Sequence, residues 1–148
     1  MSMELNWTKG KNLGLAMIIF SLSLFYQIII ISVAEYAFLI GSPVVMVLIP
    51  LGTTIAIAYS VSIIFMGNLT GESYAKLQTG LGEKENLQRI LYPYLIVIGI
   101  FSALFFLSYY IAVEKLTPLS SLVIGENLAA IVTLIISDKL RNDAKKRR

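Results

Sequence analysis

The sequence predicts an all-α integral membrane protein, a bundle of four transmembrane helices arranged as two antiparallel hairpins. Three observations predict it. The 148 residues are 57% hydrophobic and only 14% charged, outside the balance of a water-soluble domain. Four apolar stretches, 13–34, 43–66, 91–113 and 119–137, each supply the roughly 20 helical residues that a hydrocarbon core demands. Eleven of the twelve lysines and arginines fall on one side of the topology these stretches lay out. Little chain is left over, so residues 1–148 read as a single membrane domain with a cytoplasmic loop over 67–90.

Lys9 and Lys11 precede the first span, with Trp7 as an interfacial anchor. The run is longer than the apolar core of a signal peptide and lacks a small-residue cleavage site at its end. It is therefore read as a retained span. Gln27 lies at its middle, with Ser23 one turn earlier and Tyr26 adjacent. An amide in hydrocarbon seeks a partner across the bundle, a contact worth roughly 0.6–2 kcal/mol. Gln27 is either such helix glue or a substrate contact.

The connection over 35–42 is short and ends at Pro43, which fits the first turn of the next helix. Span two carries Pro50 and Gly52 at mid-depth, followed by Thr53, Thr54, Ser60 and Ser62. Pro50 is expected to kink the helix and free the carbonyl of Met46. The hydroxyls can bond back to their own helix, so their polarity is cheap. Such a segment either lines a pathway or packs a bundle.

In the polar linker Tyr74, Leu77 and Leu81 recur at helical spacing, as in a helix lying in the membrane interface or in a solvated loop. Lys76, Lys84 and Arg89 mark this linker as cytoplasmic. Span three is apolar except for Ser102, Ser108 and the tyrosines near its ends, and Gly99 with Ala103 offers a close packing contact. Tyr92 and Tyr94 anchor its inner end; Tyr36, Phe38, Tyr109 and Tyr110 fall near the outer boundary. Interfacial anchoring accounts for all of these, with sugar stacking as the alternative for Tyr109 and Tyr110.

Span four follows the turn Thr117-Pro118 and holds an uninterrupted row at every fourth position: Thr117, Ser121, Gly125, Ala129, Thr133, Ser137. Ser121, Gly125, Ala129 and Thr133 thus form a small-residue ridge along which membrane helices approach closely, and the ridge is expected to invite a neighbouring helix. Glu126 sits beside it, about 10 Å inside the outer boundary at 1.5 Å per residue, and Asn127 follows. A charge at that depth costs roughly 2.5–3.5 kcal/mol on insertion scales. Three readings of Glu126 stand: a proton-coupling or headgroup-binding acid, a neutral hydrogen-bonded helix glue, or a residue nearly at the interface.

Lys139, Arg141 and the run Lys145-Lys146-Arg147-Arg148 close the chain, while the two opposite loops hold only Lys115. Positive charge stays on the cytoplasmic side, so both termini are expected inside and the protein is placed in the cell membrane. The net charge of +3 is explained as topology and anionic-lipid contact rather than nucleic-acid binding. The chain has no histidine and no cysteine. That excludes disulfides, His or Cys nucleophiles, and the usual ligation of haem, iron–sulfur clusters and structural zinc. No enzyme activity, cofactor or metal site is expected. The expected partners are membrane lipids and a second copy or other membrane subunits.

The segment Leu107-Ser108-Tyr109-Tyr110-Ile111-Ala112-Val113-Glu114-Lys115-Leu116, then Pro118-Leu119, then Glu126-Asn127-Leu128-Ala129-Ala130-Ile131 is similar to the third connection and fourth helix of the GtrA-like membrane proteins. The four-span layout with both termini inside and a longer middle loop also resembles that family. The resemblance implies movement of polyprenyl-phosphate-linked sugars across a membrane, or association with the glycosyltransferases that make them. On that reading Glu126, Asn127 and Gln27 line a polar groove for the headgroup while the tail stays in the bilayer. The alternative is a non-catalytic accessory subunit of a larger membrane complex, which tiny loops and a packing ridge suit equally.

Overall fold

The computed structural model describes residues 10–38, 42–68 and 83–146. Its regular structure is four helices: α1 (Gly10–Phe38), α2 (Pro43–Asn68), α3 (Glu83–Val113) and α4 (Pro118–Lys146). Each is long and apolar enough to cross a membrane. The linker pattern of Tyr74, Leu77 and Leu81, and the anchor Trp7, lie outside the described residues.

The helices outrun the spans read from hydropathy. α3 begins at Glu83 rather than residue 91, and α4 continues past residue 137 to Lys146. An apolar window ends where the lipid ends, whereas a helix ends where its hydrogen bonding or propensity fails. Glu83 to Arg89 contains strong helix formers and no breaker. Beyond residue 137, Arg141 pairs with Asp138 one turn earlier at 2.7 Å, and Asn142 donates to the same carboxylate at 3.3 Å. Lys145 and Lys146 then complement the negative end of the helix dipole.

α2 and α4 begin alike, each with a hydroxyl residue followed by proline. Ser42 precedes Pro43, and its carbonyl accepts the Met46 N–H at 3.0 Å. Thr117 precedes Pro118 in the same way. Its carbonyl accepts the N–H and the hydroxyl of Ser121, both at 2.9 Å, and its hydroxyl faces the Ser120 N–H at 3.4 Å. α2 runs unbroken through Pro50, and the Thr54 hydroxyl donates to the Pro50 carbonyl at 2.7 Å.

α2 is the centre of the bundle and packs against the other three helices, while α3 packs on both α2 and α4. Gly67 of α2 abuts Arg141 of α4, and Thr53 of α2 lies beside Glu126 of α4, so the two helices run parallel. α1 leans its backbone on α2 and reaches α3 through long side chains. The Tyr26 hydroxyl pairs with Ser102, the Tyr94 hydroxyl donates to the Leu22 carbonyl at 2.9 Å, and Tyr26 meets Phe101 edge-on.

The small-residue row of α4 is consumed inside the chain. Ser121, Gly125, Ala129, Thr133 and Ser137 are all buried by the chain's own helices. The ridge therefore serves α4's own packing rather than standing open to a neighbour as its sequence suggests. The outer surface carries the opposite chemistry: Met17, Phe25, Val44, Leu48, Ile55 and Ile135 each expose more than half of their surface.

Candidate functional site

Three helices contribute one polar side chain each to a single buried layer. Glu126 from α4 and Gln27 from α1 are fully buried, and Thr53 from α2 is 3% exposed. The carboxyl of Glu126 faces both the Thr53 hydroxyl and the Gln27 amide. Neither stands at hydrogen-bond geometry, so both carboxyl oxygens of Glu126 and both amide atoms of Gln27 are without a partner. Buried polar atoms left this way cost on the order of 1–3 kcal/mol each.

The Thr53 hydroxyl lies 3.2 Å from the carbonyls of Ile49 and Pro50 in its own helix and also faces the Glu126 carboxyl. It and the Gln27 amide are the groups set to hydrogen-bond that carboxyl, and small side-chain rotations would complete the contacts. Ser23, Thr54 and Ser60 give their protons to their own helices and turn oxygen toward the bundle.

Aromatic rings of α3 lie alongside Gly125 and Glu126. Phe101, Phe105 and Tyr109 follow one face of α3, with successive ring centroids 6.3 and 6.1 Å apart. Gly125 makes room for them: a Cβ there would meet the Phe105 ring and the Tyr109 backbone nitrogen at 3.5 Å. On the inner side the buried hydroxyls of Thr133 and Ser137 have no partner. The cations Arg89, Lys115, Lys139 and Arg141 all sit at the ends of the spans.

Of the residues picked from the sequence, the structure brings Gln27 and Glu126 together and leaves Asn127 out. Asn127 is exposed on the outer face of α4 and donates to the Val123 carbonyl at 2.8 Å. Neighbours in a helix sequence point about 100° apart, so a side chain beside Glu126 in sequence cannot share its direction. Tyr109 is buried in the aromatic layer, whereas Tyr110 is 69% exposed toward lipid. Thr53 was not singled out as a site residue. Its depth in span two, level with the middle of span one, was the available signal. Separately, a groove of about 430 Å³ opens on the membrane-facing side between α1 and α2, lined by Ala16, Met17, Phe20, Ile55 and Tyr59 among others.

Fold and site together define a small multi-pass membrane protein with a polar layer sealed inside an apolar bundle. Comparison of the chain with protein-family models, curated proteins and solved structures finds no match.

Proposed function

We propose that this protein is a membrane carrier in which Glu126 takes up and releases a proton, with Gln27 and Thr53 as its hydrogen-bonding partners. One observation carries the reading: a fully buried, unpartnered carboxyl facing an amide and a hydroxyl oxygen from two other helices. An intramembrane acid of this kind marks an ion or proton pathway by default. The substrate class is the one implied by resemblance, a polyprenyl-phosphate-linked sugar. Three features support it. The lipid-open groove between α1 and α2 suits an isoprenoid tail. Sugar hydroxyls can pair with the amide, carboxyl and hydroxyl of the polar layer. The phosphate finds its counter-charges at Arg89, Arg141 or Lys115, at headgroup depth, which spares it a passage beside Glu126.

The test uses liposomes containing the protein and a polyprenyl-phosphate hexose, with lumenal pH and headgroup accessibility to added periodate followed together. Glu126→Gln keeps size and hydrogen bonding but cannot cycle a proton. Headgroup translocation and the accompanying pH change should both fall to the protein-free level. Unchanged translocation would sink the carrier reading and favour the accessory subunit, for which co-purifying partners in fixed stoichiometry would be the sign.

A further inference from the structure

The surroundings of Glu126 differ on its two sides, and the difference points along α4. Toward the outer turn, the buried hydroxyl of Ser121 is satisfied by the Thr117 carbonyl. Leu122 is buried, and Phe105 and Tyr109 fill the space over Gly125. Toward the C-terminal end of α4, buried polar groups stand without partners at Thr133, Ser137 and Arg141 Nε. The spacing from Glu126 to Thr133, Ser137 and Arg141 is two turns, then one, then one, so all four share one face of the helix. Gly67 against Arg141 fixes the register of the parallel α2. With Thr53 beside Glu126 as the second fixed point, Ser60 falls between the two, near the level of Thr133. Ser60 spends its proton on Ala56 and adds an oxygen to the row.

We infer that this column is an aqueous access path joining Glu126 to the membrane face where α4 ends, and to that face alone. The ligand is water, admitted in single file past Arg141 and held by the free hydroxyls of Ser137 and Thr133. Buried polar atoms without protein partners are ordinarily met by water when a roomy polar route exists. A hydronium in the file passes one proton to the Glu126 carboxylate, leaving a neutral acid and a water molecule. The reverse step returns the proton to the same side. Buried Val61 and Phe65 of α2 lie at the levels of Thr133 to Lys139 and keep the file narrow, which favours protons over larger ions. Arg141, tied to Asp138 at 2.7 Å, sits at the mouth. This inference rests on Glu126 being the working acid, and it adds the side from which that acid is reached.

The test exploits a chain with no cysteine of its own. Thr133→Cys, Ser137→Cys and Ser121→Cys are placed singly in sealed proteoliposomes of known orientation and exposed to a membrane-impermeant thiol reagent on one side at a time. Separately, Glu126 of the unmodified protein is treated with a water-soluble carbodiimide and an amine, and the adduct is read by mass spectrometry. Ser137→Cys and Thr133→Cys should react from the α4 C-terminal side, on the order of tenfold faster than Ser121→Cys from either side, a ratio equal to about 1.4 kcal/mol. Glu126 should be modified from that same side, and Thr133→Leu should suppress the adduct about as strongly. Reaction of Ser121→Cys from the opposite side would overturn the path. So would silence at Thr133→Cys and Ser137→Cys in protein whose helical circular dichroism is intact. Because these readouts need no substrate, a failed path with translocation still dependent on Glu126 would move the route and leave the carrier standing.

Discussion

At the scale of the residue, the neighbour of Glu126 most open to test is Thr53, whose hydroxyl faces the carboxyl from α2. Thr53→Val removes that hydroxyl while nearly keeping the shape. Stability in detergent should change by only about 0.6 kcal/mol, the usual size of a hydrogen bond inside a membrane protein. Translocation should fall by roughly tenfold, as expected when the acid loses a hydrogen-bonding partner. Asn127→Leu is the matched control. Its amide serves only its own helix on the lipid face, so translocation should stay unchanged and stability should hold or rise. Both are read in the same liposome assay and by detergent-titration unfolding. A large loss with Asn127→Leu would mean that the polar layer extends around α4. The burial of Gln27 and Glu126 is legible in the sequence because deep polar residues are rare among apolar runs. Asn127 points away from them because adjacency in sequence is not adjacency on a helix.

At the scale of the element, two glycines separate tight contact from ordinary contact. A Cβ at Gly67 would lie 2.9 Å from Arg141 Cγ and 3.2 Å from its Cα, so one helix must shift. At Gly125 the nearest atoms are 3.5 Å away, which is normal van der Waals spacing. Gly67→Ala should therefore destabilise the α2–α4 pair by about 1–3 kcal/mol, the range for overpacking. Gly125→Ala should be near neutral. Thermal or detergent unfolding followed by circular dichroism distinguishes the two, and the reverse order would show that the register of α2 on α4 is other than described. The sequence made the ridge of α4 visible but not its destination. Every-fourth spacing says that a helix will approach closely, and nothing in it says whether that helix comes from the same chain. The true ends of α3 and α4 were hidden for a related reason, since hydropathy reports where lipid stops.

At the scale of the whole molecule, charge is the feature that orients the bundle. Described cations at Lys139, Arg141, Lys145 and Lys146 cluster beyond the buried layer on one side, against Lys115 on the other. Retention of positive charge predicts both termini in the cytoplasm. A fluorescent protein fused after Arg148 should glow and an alkaline phosphatase fusion there should be inactive. The opposite pair of results would reverse the side from which Glu126 is reached.

The division of the polar layer among helices has a consequence for biogenesis. Gln27 and Thr53 belong to the first hairpin, whereas Glu126 belongs to the second, which is synthesised later and joined to it through the polar linker. When the second hairpin leaves the translocon it carries an acid with nothing to face but lipid. Only docking onto the finished first hairpin supplies the amide and the hydroxyl. The buried acid thus makes the unassembled half an unstable guest of the bilayer. Failure of the two halves to meet would leave a recognisable signal for membrane quality control.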